Sequence, residues 1–267
     1  MSVFYTHHED LKRLNFIKDQ ILQLGREDIR ILDVGCGNGI MSIALSSMGF
    51  EVLGIDIDPT SIQKANELNE YPNVRFIVMD VEDEMLNDSF DVVICSEVLE
   101  HLKDPEKIIR QIHDTMKPDS LFIVTTPNGY GPREMLMTRP MQTLNRYGFG
   151  KVLYRVKRLL GYKGASIQSS NPDLEHIQFF KRSDLIRLIE SYGFKLKAFG
   201  KADFVDRVFP FSMLANRFPA LQKLDCRMAD ILPRYCTSGF YTSWSMVTKN
   251  KRNRIKTDKK EIVETKS

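Results

Sequence analysis

Leu11, Leu14, Ile17, Ile21 and Leu22 recur every three or four residues, which predicts a leading amphipathic helix. A short apolar run over residues 29–32 follows, then a glycine-rich turn, then a helical pattern reaching about residue 48. Apolar stretches at residues 51–55 and 74–78 read as strands and end at Asp56 and Asp80. Between them, Asp58-Pro59 is a start signal for a helix over residues 60–68. Residues 90–95 form a continuous apolar run, as buried parallel strands do. A helix over 104–116 opens at Asp104-Pro105 and stops at Lys117-Pro118, ahead of a fifth strand at 121–125. Strands alternating with helices predict an α/β fold, a doubly wound and mostly parallel sheet with helices on both faces.

The alternation then breaks. Residues 129–175 carry no strand pattern and read as an insertion, and 201–237 read as a second, irregular one rich in Pro and aromatic side chains. Between them lie a helix at 183–191, stopped by Gly193, and a strand at 194–199. A last strand at 239–247 is expected to pair antiparallel at or near the sheet edge, making seven. The expected organisation is one domain over residues 1–249, capped by the two insertions as a mainly helical lid. The Lys- and Glu-rich tail, 250–267, reads as disordered.

Phe149, Val152, Leu153, Val156, Leu159 and Leu160 fit a helical stripe inside the first insertion, with Lys151, Arg155, Lys157 and Arg158 on other faces. Glu134 is the only acid between residues 130 and 170. A basic amphipathic helix at 149–160 suits a lid, an anionic membrane surface, or a phosphorylated or lipid-linked substrate.

Composition adds few restrictions. A net charge of +3 over 267 residues implies no general nucleic-acid binding. No apolar run is long enough to span a bilayer, and the first ten residues lack the basic start and apolar core of a secretory signal. Cys36, Cys95, Cys226 and Cys236 show no C-x-x-C spacing, so they read as reduced thiols of a cytoplasmic protein, with peripheral membrane contact compatible.

The chemistry is concentrated in Asp33-Val34-Gly35-Cys36-Gly37-Asn38-Gly39. A carboxylate followed by G-x-G-x-G differs from the G-x-G-x-x-G of dinucleotide sites, since Ile40 and Met41 leave no third glycine in register. The glycines are expected to bare the main chain to a ligand. A negative charge beside the turn suits the sulfonium and ammonium groups of S-adenosylmethionine and suits a pyrophosphate badly. Asp56, with Ile57, ends the second strand, where a carboxylate can accept from both ribose hydroxyls. Asp80, with Val81, ends the third, where an acid can accept from an adenine amino group. Cys95-Ser96-Glu97 ends the fourth. The expected cofactor set is Asp33, Gly35, Cys36, Gly37, Gly39, Asp56, Ile57, Asp80, Val81 and Ser96. Open α/β sheets bind ligands at these strand ends.

On these residues, the segment 29–128 resembles the class I S-adenosylmethionine-dependent methyltransferases, which have a Rossmann-like seven-stranded sheet. Its nearest likeness is to the ubiquinone-biosynthesis O-methyltransferases and the methyltransferases of surface glycans and lipids. The run Ile31 to Gly39 is similar to the family's first motif. Gly54-Ile55-Asp56 is similar to the ribose-binding acid, and Met79-Asp80-Val81 to the adenine-contacting position. Phe90 to His101 is similar to the fourth-strand motif with its E-x-x-E-H continuation. Lys117-Pro118-Asp119-Ser120 resembles the turn before the fifth strand, with Ser120 where glycine is usual. The resemblance implies transfer of a methyl group to an oxygen of a small molecule or a lipid- or glycan-linked hydroxyl.

Glu97, Glu100 and His101 stand at i, i+3 and i+4, which puts them on one helical face. His101 is a candidate general base, and the bland reading has the triplet capping a helix and bracing the loop. The resemblance to quinone-methylating enzymes implies a divalent metal on these three residues, which is not the favoured reading. His176, just before Phe179-Phe180, is the second catalytic candidate, at the point where the insertion returns to the mouth of the site; His7 and His8 are expected to be solvated. Thr126-Pro127-Asn128-Gly129-Tyr130 lies at the fifth strand end and has a single proline, which argues against amide or adenine N-methylation. The competing readings are an NAD-dependent oxidoreductase and a non-catalytic methyltransferase-like subunit.

Overall fold

Strands whose side chains are buried on both faces form the centre of the molecule. The structure, a computed structural model, describes residues 5, 7–83, 88–148 and 175–246. Seven strands, β1 (Arg30–Val34), β2 (Glu51–Asp56), β3 (Val74–Val78), β4 (Phe90–Ser96), β5 (Met116–Pro127), β6 (Phe194–Lys201) and β7 (Gly239–Met246), make one sheet ordered β3-β2-β1-β4-β5-β7-β6. The first five strands are parallel and β7 runs antiparallel to both β5 and β6. β7 is therefore an inner strand and β6 is the edge.

Helices α1 (His8–Leu22), α2 (Ile40–Ser46), α3 (Pro59–Leu68), α4 (Pro105–Thr115), α5 (Arg139–Arg146) and α6 (Arg182–Ser191) flank or cap the sheet. Their start signals act locally as expected. Asp58 accepts from the amides of Thr60 and Ser61 at the start of α3, and Asp104 accepts from the Lys107 amide at the start of α4. Two cores result. Leu14, Ile17 and Ile21 of α1 pack with Ile31, Val92 and Ile123 on one face, and Ile108, Ile109 and Ile112 of α4 pack with Val93 and Phe122 on the other.

Residues 201–237, expected to be irregular, instead contain α7 (Phe211–Arg217) and α8 (Pro219–Ile231). Pro219 at the first turn of α8 ends one helix and starts the next, which is why the stretch reads as broken in sequence. Gly239 pairs with Pro127 and Phe240 with Lys201, so this connection leaves and re-enters the sheet at the end where β1, β4 and β5 finish. The segment after β5 starts at that end too. Both insertions thus rise from one rim, above the point where strand order reverses between β1 and β4. The basic stripe at 149–160 and the tail at 250–267 lie outside the described residues. The four cysteines are free.

Candidate active site

The glycine turn between β1 and α2 is shaped by the protein itself. Gly35, Gly37 and Gly39 have φ of +69°, +54° and +73°. A Cβ on Gly35 would stand 2.3 Å from Val98 Cγ2, and one on Gly39 would stand 2.6 Å from Phe76 and 2.8 Å from Ala65. The missing side chains at 35 and 39 thus make room for Val98, Phe76 and Ala65. The Gly35 and Cys36 amides both donate to Ile55 O. Cys36 is half-buried against the core, and burial pushes its thiol up.

Asp56 organises this turn. Its Oδ2 accepts from the Gly37 amide at 2.8 Å and its Oδ1 from the Asp58 amide at 2.9 Å. Each carboxylate oxygen keeps a further lone pair, so the acid still suits a pair of ribose hydroxyls. Beside it Ile57 is 56% exposed, an apolar surface ready for a ring. Asp80 is half-buried and accepts from the Glu82 amide at 2.9 Å, while Val81 is buried in the core with Leu53 and Ile55. Val81 therefore supports the site from beneath.

Asp33 is also set back. It is 2% exposed, accepts from Ser42 Oγ at 2.6 Å, and pairs in the sheet with Gly54 and Ile94. Burial pushes its carboxyl up to about 7, against the Ser42 hydrogen bond and with the Asp56 charge adding to the rise. Its charge is hence partial near neutrality, weaker than the sequence reading assumes. Tyr5 lies buried within the electrostatic reach of Asp33, Asp10 and Arg13, which brings the N-terminal segment over this region.

The end of β4 carries a polar chain. Ser96 Oγ is 2.8 Å from Thr125 Oγ1, which donates to Glu97 Oε1 at 3.1 Å. Glu97 has φ of +57° and its Oε1 lies 3.6 Å from Arg13 Nη1 of α1. It therefore sits outside the short helical turn Leu99–His101 and shares no face with Glu100 and His101. The expected triplet does not assemble.

A different one does. Glu100 is 2% exposed; Thr126 Oγ1 donates to its Oε2 at 3.2 Å, and its Oε1 has no hydrogen-bond partner. Burial, then the charge of Glu97, pushes its carboxyl up. The amides of Ile177 and Gln178 both donate to Glu100 O, docking segment 175–180 on this turn. His101 Nδ1 is 2.9 Å from Glu175 O, which can only accept, so Nδ1 carries the proton and Nε2 offers its lone pair. That Nε2 is 3.9 Å from Glu100 Oε1. Burial lowers the His101 pKa, with the Glu175 contact opposing.

The His176 ring meets His101 edge-on, centroids 5.0 Å apart, and its Nδ1 lies 3.2 Å from Glu134 Oε2. Glu134 is fully buried with Oε1 unpartnered. Donor atoms of Glu100, His101 and His176 all fall within 4.8 Å of one another. Two imidazoles and a carboxylate are a chemically sound donor set for a divalent ion. The structure thus brings both candidate histidines together and replaces Glu97 by His176. Sequence reasoning missed Glu134 as a partner, although its isolation as the one acid of a basic insertion was a usable signal. It also missed Thr125 and Arg13, which carry no motif, and the contact of Thr126 with Glu100. His7 is half-buried with Nε2 3.7 Å from Asp206 Oδ2, and His8 donates its amide to Gln222, so neither is simply solvated.

The family described as "Methyltransferase domain" matches residues 5–198. A ubiquinone biosynthesis O-methyltransferase of Pseudomonas syringae pv. tomato is 36% identical over 120 residues, 43% of this chain and 50% of that protein. The chain thus spans about half the length of the curated relatives it matches. Among solved structures, the magnesium protoporphyrin IX methyltransferase of Synechocystis with bound S-adenosylhomocysteine aligns with TM-score 0.56 and 15% identity, over 89% of this chain and 83% of that one. The N-methyltransferase NodS of Bradyrhizobium japonicum aligns with TM-score 0.55 and 11% identity, over 90% and 89%. Those two likenesses concern the fold, and with the matched domain, the glycine turn and the strand-end acids they set the oxidoreductase reading aside. The chain belongs to the methyltransferase-domain family, in its class I form with S-adenosylmethionine as cofactor.

Proposed function

We propose that this chain methylates a hydroxyl oxygen of a small molecule or a lipid- or glycan-linked acceptor, with His101 as general base and His176 beside it. One observation carries the reading: Glu175 O holds the Nδ1 proton of His101, which leaves Nε2 as a basic nitrogen at the rim of β4. The O-methyltransferase name of relatives that share about half their length with this chain supports the same choice.

Asp56 and Asp80 would hold the ribose and adenine, with Ile57 against the ring, in keeping with their half-buried and exposed positions. When bound, the cofactor supplies a methyl carbon made electrophilic by its sulfonium. The chain's own work is to align an acceptor oxygen with that carbon, exclude water, and take the hydroxyl proton. A lowered pKa keeps the His101 imidazole neutral and ready to accept that proton at neutral pH. Burial pushes the Glu100 carboxyl up, which disfavours a charge beside that imidazole. Were a divalent ion present, Glu100, His101 and His176 would be its ligands, and the ion would acidify an acceptor hydroxyl.

The test is incubation with methyl-labelled S-adenosylmethionine and a panel of catechols, alcohols and amines, with and without a chelator. Label in a base-stable ether, lost in His101→Ala, is the expected result. Label confined to amines, or an undiminished yield from His101→Ala, overturns the assignment.

A further inference from the structure

Among the described residues, a dense group of large exposed apolar side chains lies on the α7–α8 hairpin. Phe211, Met213 and Leu214 of α7 and Leu224, Met228 and Ile231 of α8 are each at least 40% exposed, with Ile231 at 85%. Their arrangement is periodic. Leu221, Leu224, Met228 and Ile231 share one face of α8, while Gln222, Cys226 and Ala229 turn inward. The two helices enclose an apolar groove of about 260 Å³, with Asp206 and Asp225 at its floor. Asp206 is 2% exposed and burial pushes its carboxyl up to about 10, so that side of the floor is uncharged at neutral pH.

The hairpin is also cationic. Arg217, Lys223 and Arg227 are exposed, and none has an ion-pair partner among the described residues. The only acids between residues 208 and 238 are Asp225, which is buried and accepts from the Phe204 and Val205 amides, and Asp230, which pairs with Lys12 at 2.7 Å. Lys12 also donates to Ala202 O and Cys226 O, so α1 clamps the inner side of the hairpin and leaves the apolar, basic side outward.

We propose that the α7–α8 hairpin is a docking surface for an anionic phospholipid bilayer, which it meets with Phe211, Leu214, Leu224 and Ile231 in the interface and Arg217, Lys223 and Arg227 on the headgroups. Apolar side chains ringed by unpaired cations complement that surface in both respects. A second copy of the chain is the poorer fit, since a twofold contact through this face would bring the same three cations against themselves. The hairpin rises from the rim that carries the β1 and β4 strand ends, so docking turns the mouth of the site toward the lipid. The proposal goes beyond the methyl-acceptor reading and holds whichever atom is methylated.

The experiment is co-sedimentation of the full chain with phosphatidylcholine vesicles, with and without phosphatidylserine, and S-adenosylhomocysteine titration as the folding control. Pelleting that needs phosphatidylserine is expected. Reversing Arg217, Lys223 and Arg227 to Glu should weaken it by about fivefold per cation, an effect that added salt diminishes. Leu224→Ser with Ile231→Ser should weaken it at every salt concentration. Should that apolar variant lose its cofactor affinity, the charge variant still decides, because its side chains are exposed. No pelleting, or pelleting unchanged in the charge variant, overturns the proposal. So does a wild-type dimer in sedimentation velocity that the serine variant dissociates.

Discussion

The Arg13 guanidinium lies 3.6 Å from the Glu97 carboxylate, joining the first helix to the loop that closes the fourth strand. Arg13 is 2% exposed and also meets Asp10 at 2.6 Å and Glu9 at 3.4 Å. Arg207, from the segment before α7, reaches Glu9 at 2.8 Å. The N-terminal helix, the cap and the loop after β4 thus share one charge network.

Arg13→Met should therefore destabilise the protein by about 3 kcal/mol, because it strands buried carboxylates without their cation. Urea unfolding at neutral pH measures this. A loss below about 1 kcal/mol would show that Arg207 alone neutralises the cluster.

Gly35→Ala should cost about 1–2 kcal/mol from the left-handed backbone alone, with the Val98 clash added to it. Adding Val98→Ala should relieve the clash and leave the backbone cost. Titration with S-adenosylhomocysteine and thermal melts separate the two; full recovery in the double variant would remove the conformational argument.

The raised carboxyl of Asp33 gives a pH signature. Its pKa is higher folded, about 7, than the ordinary 3.8, so the stability it contributes is complete below 3.8 and is lost as pH rises through about 7. A cationic cofactor favours the ionised form, so the stabilisation by S-adenosylmethionine should grow over the same interval. Asp33→Asn should flatten both trends, as read from urea midpoints and thermal shifts across that range; identical slopes in the two proteins would dismiss the assignment.

His101→Ala should lower turnover about a hundredfold or more while leaving S-adenosylhomocysteine affinity unchanged. Because burial depresses its pKa, the acid limb of the wild-type rate should fall below pH 6.5, the ordinary value. His176→Ala should remove that ring's contact and shift the limb upward, since the neighbouring imidazole is one of the groups lowering it. An unshifted limb would mean that the His176 ring does not act on His101.

Much of the sheet was legible because strands buried on both faces, such as residues 90–95, leave continuous apolar runs, and because Asp58-Pro59 and Asp104-Pro105 mark helix starts by local hydrogen bonding. The acids at strand ends were legible for the same local reason. What escaped depends on contacts between distant segments. The packing of Val98 over Gly35 is one such contact. Glu97, Glu100 and His101 read as one helical face until the positive φ of Glu97 turns it to Arg13. His176 reaches His101 only because Glu100 O receives two amides from the returning insertion. The α7–α8 pair was obscured by Pro and aromatic residues that break periodicity while still punctuating real helices.

The reversed direction of β7 has an evolutionary corollary. By running against its neighbours it lets the chain make two long excursions from a single edge of the scaffold, after β5 and after β6, and each is tied back to the body, the first at Glu100 O and the second through Arg207. A cap exchanged between homologues would accordingly have to bring its own cation for Glu9 and Asp10, since Arg207 answers both.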